Sequence, residues 1–307
     1  MPSVPQSSSP EFLDFVSHLT SSAAIQQLSS ASSLPSAQVR THVDLAVGEA
    51  GQTLRVLAGL QLAPGGRLLE VGAGLGLTSA FLSTCGFDVT ALEPGGQGFE
   101  DHAILAAHLV ELVSSGHRTL TVPAQGLDPA VHGRFDLVFS NNVLEHVEHL
   151  SEVLDTLAAM VTDGGVSVHS CPNYSVPYEP HYGIPLLPMR PRWTAKLLPR
   201  SIRADGVWLS LNFIRARDVV LIARGQGVEV HFRPAALAKS LERLGSDSGF
   251  RGRHRVLGGV AAMLRRLHLI AVIRRLPATW STPMDFLICQ PTIRQSRLAS
   301  WLDPSDD

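Results

Sequence analysis

One run in this chain, Leu68-Leu69-Glu70-Val71-Gly72-Ala73-Gly74-Leu75-Gly76-Leu77-Thr78, has the residue types and spacing of a ligand cradle. Its apolar start reads as a strand, its three glycines as a turn and its continuation as a helix. Glycine permits positive φ and lets a ligand approach the backbone closely, while a helix N-terminus offers unpaired N–H groups. A nucleotide-like ligand suits such a turn. Glu93 follows the glycines by about 20 residues, at the end of the next expected strand, where a carboxylate can accept both hydroxyls of a ribose.

Histidine is the second chemical resource. His146 follows the fourth expected strand, and His181 lies in the proline-rich stretch after the fifth. An imidazole tuned near neutrality is the natural base for a hydroxyl proton. His146 reads equally as a residue that orients the loop after its strand. Cys171–Pro185 follows the fifth strand at the carboxyl edge, where open α/β sheets bind ligands. On its proline-stiffened backbone Tyr178, Glu179 and Tyr182 are candidate substrate contacts, with Trp208 and Asn212 placed to close the same pocket. A rigid connector with tyrosines packed on the core is the other reading of that segment.

The elements that must hold these residues follow from periodicity. Strands are expected at Arg67–Val71, Asp88–Leu92, Arg118–Val122, Phe135–Phe139 and Gly165–Ser170, with helices between them at Leu77–Cys85, Gly98–Ser115 and Leu150–Val161. Alternation of this kind predicts a Rossmann-like α/β fold, a mostly parallel seven-stranded sheet with helices on both faces. Prolines 172, 177, 180, 185, 188 and 191 exclude a helix or central strand from the next segment. Helical pattern resumes at Arg215–Arg224, with strands expected at Gly227–Phe232 and Met284–Gln290. The expected organisation is a disordered tail 1–10, an N-terminal helical segment 11–62 and a cofactor-binding core 63–172 completed by 215–232 and 283–292. Insertions 173–214 and 233–282 form a substrate cap, and 293–307 is a tail. Within the first part, Phe12, Phe15, Leu19 and Ile25 suit a short amphipathic helix, 29–36 reads as a loop, and a helix over 36–62 is expected to break near Gly51.

Bulk properties narrow the partners. A formal net charge of −2 supplies no global field for nucleic acid, so a small-molecule substrate is expected and a polynucleotide is not. Three widely spaced cysteines suit reduced thiols in a cytoplasmic protein. No signal pattern or apolar run of about 20 residues is visible, which limits membrane contact to the periphery. Seven arginines and no acid occupy 251–275, interleaved with apolar residues as a basic amphipathic helix pair. Such a pair lies on anionic lipid or meets a phosphorylated carrier, or is an ordinary packed helix pair. The oligomeric state is not readable.

The turn, Glu93 and Phe135-Asp136-Leu137-Val138-Phe139-Ser140-Asn141-Asn142 followed by Val143-Leu144-Glu145-His146-Val147 together resemble class I S-adenosylmethionine-dependent methyltransferases. Residues 63–172 carry the resemblance. It implies S-adenosyl-L-methionine as cofactor, with Glu70, Gly72 and Gly74 at its methionine end and Ala73 beside them. Glu93 and the adjoining Pro94 would meet the ribose, Ala124 and Gln125 would flank the adenine, and Asn141 would line the floor. His146 would stand near the reactive end. The Leu144-Glu145-His146 segment is similar to ubiquinone-pathway O-methyltransferases, in which a glutamate three residues earlier helps to hold a divalent metal. Asn142 stands there, and a neutral amide is a poorer ligand for a hard cation, so no metal is expected. A nicotinamide-dependent dehydrogenase would need G-x-G-x-x-G, and Gly76 comes one residue early for that. A non-catalytic binding module of the same fold would have no need to keep Glu70, the glycines and Glu93 together. Methyl transfer to a small molecule, a sugar, quinone-like or lipid-linked one among them, most naturally at a hydroxyl oxygen, is the expected function.

Overall fold

The computed structural model describes residues 3–95, 100–246, 255–293 and 298–303. Three helices lead: α1 (Pro10–Leu19), α2 (Ser22–Ser32) and α3 (Ser36–Leu57). Strands and helices then alternate through β1 (Arg67–Val71), α4 (Leu77–Thr84), β2 (Asp88–Leu92), α5 (Glu100–Leu112), β3 (Arg118–Leu120), α6 (Pro129–His132), β4 (Phe135–Asn141), α7 (Leu150–Ala159) and β5 (Val161–Cys171). The first insertion contains β6 (Tyr178–Glu179), β7 (Ile184–Pro185), α8 (Arg200–Arg203) and α9 (Gly206–Ser210). After α10 (Ala216–Gln226) and β8 (Glu229–Phe232), the second insertion contains α11 (Ala236–Ser246), α12 (Arg255–Arg266) and α13 (Ile270–Ile273). β9 (Met284–Cys289) and α14 (Ala299–Leu302) complete the described chain.

Seven strands form one sheet in the order β3-β2-β1-β4-β5-β9-β8. The first five are parallel, and β9 runs antiparallel to both β5 and β8. Both faces are covered, so the central strands read as continuous apolar runs whose alternate side chains feed different cores. Leu68, Leu137, Phe139, Val168 and Leu287 join α1 to α5 in one core. Leu69, Val71, Val138, Phe286 and Ile288 join α7, α10 and the first insertion in the other. This is the Rossmann-like α/β architecture expected from the alternation.

Differences from expectation concentrate where a distant partner decides the outcome. The expected disordered tail is built into the fold from Ser3, which bridges to Gln61, and Val4 is buried with its N–H donating to Leu60 O. Ser9 caps α1 by accepting from the Phe12 N–H, with Pro10 at the first helical position. α2 runs on to Ser32, so the loop expected at 29–36 shrinks to Ser33–Pro35. α3 is unbroken at Gly51, because Val39, Val43, Ala46, Ala50, Leu54 and Leu57 form one buried stripe across it. That stripe outweighs the roughly 1 kcal/mol that a helical glycine costs. At the other end the expected tail docks through α14: Trp301 is wholly buried and donates to Val56 O. The start of the helix expected at Gly98 and residues 251–254 of the basic stretch lie outside the described residues. No helix among the described residues is long and apolar enough to cross a membrane.

Candidate active site

The glycine turn joins β1 to α4, and its three glycines all have positive φ. At Gly72 the requirement is also steric, since a Cβ would stand 2.3 Å from Val143 Cγ2. Val143 precedes the Leu144–His146 turn, so the two sequence motifs are in direct contact here. The Gly72 and Ala73 N–H groups donate to Leu92 O, which ties the turn to the end of β2. Just beyond, Glu93 accepts from Gly74 N at 2.8 Å and Gly95 N at 3.2 Å, one bond to each carboxylate oxygen. Each oxygen has two lone pairs, so capacity remains for two ligand hydroxyls. Pro94 is exposed beside it.

Glu70, buried at the end of β1, accepts from the Ser79 N–H at 3.0 Å and the Ser79 hydroxyl at 2.6 Å, fastening the turn to α4. Burial pushes its carboxyl up to about 7, against the hydrogen bonds of Ser79 and Thr78. Asn141 ends β4 with its amide donating to Thr53 Oγ1 at 3.2 Å, while its buried Oδ1 has no hydrogen-bond partner. Glu70, Gly72, Ala73 and Asn141 line one cavity of about 30 Å³, roofed by Ala46, Glu49, Ala50 and Thr53 of α3. Ala124 and Gln125 stand half-buried on a single 3₁₀ turn beyond β3. The sequence-predicted cofactor residues therefore line the carboxyl ends of β1, β2, β3 and β4, as open α/β sheets require. An unpartnered buried oxygen, a turn that excludes a Cβ and a preset carboxylate fit an adenosyl sulfonium cofactor.

The histidines come together from different segments. His146 and His181 have ring centroids 5.1 Å apart. Both Nε2 atoms face one oxygen of Glu145, Oε1, at 3.9 Å and 3.8 Å. Glu145 is wholly buried, and no other described residue donates a hydrogen bond to either of its oxygens. Burial pushes its carboxyl up to about 7, with Glu179 adding to the rise and His181 opposing it.

Partners at the far nitrogens fix the tautomers. Ser210 gives its hydroxyl proton to Val207 O, so its oxygen accepts from His146 Nδ1 at 2.8 Å. Glu179 accepts from His181 Nδ1 at 2.6 Å. In the neutral rings both Nε2 lone pairs then point toward Glu145, and neither ring supplies a proton between them. Burial, then the neighbouring His181, lowers His146 to about 4. For His181 burial pulls down, but the hydrogen bond and charge of Glu179 with the charge of Glu145 carry it above its ordinary value. Glu145, His146 and His181 offer three donor atoms within 4.8 Å of one another, so the expectation of no metal site meets a cluster able to hold one. Asn142, at φ +55°, serves the turn conformation, which asparagine tolerates better than most residues.

The remaining predicted contacts have other partners. Glu179 is wholly buried and takes Tyr174 OH on one oxygen and His181 on the other, so it positions His181 instead of meeting a substrate. Asn212 donates to Leu144 O and Val147 O and accepts from Ile214 N, which clamps the Leu144–His146 turn and uses both amide donors. Tyr182 OH is held by Asp205 and accepts from Trp208 N, and the buried Trp208 ring lies against Phe213. Tyr178, half-buried on the β6–β7 hairpin, has its phenol pushed up to about 12 by burial and Glu179. Sequence reasoning missed Glu145, Tyr174 and Ser210 as a working set. The Glu179-x-His181 spacing was the one signal available for the dyad.

The sequence pattern of the family described as "Methyltransferase domain" matches residues 48–251. An uncharacterized protein of Mycobacterium tuberculosis is 33% identical over 275 residues, covering 81% of this chain and 92% of that protein. A ubiquinone biosynthesis O-methyltransferase of a Caulobacter species is 35% identical over 102 residues, which are 33% of this chain and 39% of the relative. Among solved structures, a Haemonchus contortus phosphoethanolamine N-methyltransferase superposes on 91% of this chain and 60% of its own, at 14% identity and a TM-score of 0.47.

Proposed function

Because the chain belongs to the methyltransferase-domain family and is a class I S-adenosylmethionine-dependent enzyme, we propose that it methylates a hydroxyl oxygen of a small molecule and that His181 takes the hydroxyl proton. The observation that supports this reading is the close packing of Val143 on Gly72, three residues before His146 in the chain, with the His181 ring 5.1 Å from that of His146. When bound, the cofactor supplies an electrophilic methyl on sulfonium.

The chain's own residues do the rest. Gly72, Ala73, Gly74 and Glu70 would hold the methionine end, Glu93 with the adjoining Pro94 the ribose, Ala124 and Gln125 the base, and Asn141 the floor. His181 keeps 27% of its side-chain exposure, and the reading requires the acceptor hydroxyl to approach Nε2 on the side where it faces Glu145. Glu179 orients the ring and stabilises the imidazolium that forms, as a buried carboxylate does for a catalytic histidine. His146, held near pKa 4 and neutral, is left to align the acceptor as a hydrogen-bond acceptor. Tyr178 and the Tyr182–Trp208 wall limit water at the site. Three unpaired thiols suit a reducing compartment, and we place the enzyme in the cytoplasm.

A second reading concerns what lies among the three donors. Two imidazole lone pairs and a carboxylate converging on one point suit a divalent cation as well as a shared proton. Metal analysis of purified enzyme, with methyl transfer assayed before and after chelation, separates the two. For the principal reading, His181→Ala should lower kcat at least a hundredfold with cofactor binding unchanged, while His146→Ala should act mainly on acceptor KM. Full activity in His181→Ala would sink the base assignment.

A further inference from the structure

The second insertion makes its own small core and leaves a second apolar face uncovered. Leu241 and Leu244 of α11 bury against Ala261, with Leu237, Leu264, Ile270 and Ile273 packed around them. On α12 this uses one side of the helix only. Val260, Met263 and Leu267, spaced i, i+3 and i+7, form a separate stripe exposed by 40%, 55% and 56%. The exposed apolar series continues through Leu269, Val272, Leu276 and Trp280. Lone exposed leucines are ordinary, but seven large apolar side chains exposed within residues 260–280 are the composition of an interaction surface.

Charge identifies the covering medium. Residues 248–284 contain no aspartate or glutamate. Arg265 donates to Leu241 O and Arg274 to Glu242, which leaves exposed Arg266 within the stripe's own helix and exposed Arg275 next to Leu276 in the chain. The first insertion carries the same combination independently. Leu187, Met189, Trp193, Leu197 and Leu209 are exposed, and residues 183–204 contain five cations and no acid. Arg190 and Lys196 flank the Trp193 ring at 4.5 Å and 4.8 Å. Tryptophan with cations at its faces, beside apolar ridges on short helices, suits a headgroup boundary better than a shaped protein groove.

We propose that the second insertion lies on an anionic lipid bilayer. The stripe Val260, Met263 and Leu267 enters the boundary of headgroups and acyl chains, and Arg266 and Arg275 meet lipid phosphate. The surface connects directly to the acceptor loop, because Asn173, just after β5, donates to Thr279 O and Ser281 O beside Trp280. Docking of this kind would bring the cap to acceptors dissolved in lipid, a consequence that rests on the methyltransferase reading, whereas the docking itself does not.

Sedimentation of the full chain with vesicles tests it. With phosphatidylcholine containing one third phosphatidylglycerol the protein should co-sediment, with phosphatidylcholine alone it should not, and binding should weaken as salt is raised. Met263→Ser with Leu267→Ser should weaken vesicle affinity at least tenfold. Arg266→Ala and Arg275→Ala should each weaken it about fivefold. These side chains are exposed, so the thermal midpoint and S-adenosylhomocysteine binding should stay unchanged, which separates loss of docking from loss of fold or of cofactor site. Absence of co-sedimentation, or binding indifferent to these substitutions, overturns the proposal. So does a concentration-dependent dimer abolished by the serine pair, since a second copy would then be the occupant.

Discussion

Replacement of Glu145 by Gln probes the centre of the site through stability. Folding buries this carboxyl completely and lifts it to about 7 from an ordinary 4.5. A carboxyl raised on folding contributes fully only below its unfolded value, and the contribution is lost as pH rises through the folded value. The cost of burying the ionised form is then under about 1 kcal/mol at pH 5 and about 3 kcal/mol at pH 8. Glutamine keeps the shape, carries no charge, and can donate its N–H to an Nε2 lone pair of His146 or His181. Urea unfolding followed by circular dichroism should therefore find the two proteins close at pH 5 and the variant more stable by about 3 kcal/mol at pH 8. A variant less stable than wild type at pH 8 in metal-free buffer would refute the unpaired-carboxylate account. The same reversal seen only in metal-loaded protein, and abolished by chelation, is what the cation reading requires.

Other perturbations address separate links in the argument. His181 is a base only when neutral, and Glu179 with Glu145 holds its pKa above the ordinary value, so activity should rise with pH through a limb above 6.5. Glu179→Gln should move that limb to lower pH while reducing kcat, measured in the pH–rate profile; an unmoved limb contradicts the dyad. Asn212→Ala removes three hydrogen bonds, two of them to Leu144 O and Val147 O around the Leu144–His146 turn, and should destabilise by about 2–3 kcal/mol in chemical denaturation, with acceptor turnover falling more than cofactor affinity. Trp301→Ala empties a wholly buried site and leaves Val56 O with only the longer hydrogen bond from Arg233, which should cost about 3–5 kcal/mol; a change under about 1 kcal/mol would mean that α14 does not dock.

Locally encoded features were legible in the sequence. The turn around Gly72 and Gly74 and the apolar strands β1, β2 and β4 declare themselves by composition within ten residues. What escaped depends on partners far along the chain. Val4 is ordered by Leu60, Trp301 by the end of α3, and Gly51 by a helix stripe that outweighs its propensity. The same holds in the site, where Glu145 and His181 meet only because the proline-rich insertion folds back as the β6–β7 hairpin. Glu179 reads as a substrate contact until its two oxygens are seen to be occupied by Tyr174 and His181. Residue type locates a functional neighbourhood, and hydrogen-bond accounting assigns the roles within it.

Calorimetric titration with S-adenosylhomocysteine tests the cofactor cradle most directly. Wild type should bind at micromolar concentration. Gly72→Ala, whose new Cβ would stand 2.3 Å from Val143 Cγ2, and Glu93→Ala, which removes the preset carboxylate, should each weaken binding tenfold or more. No heat from the folded wild-type protein at millimolar ligand, or binding untouched by both substitutions, would contradict the account.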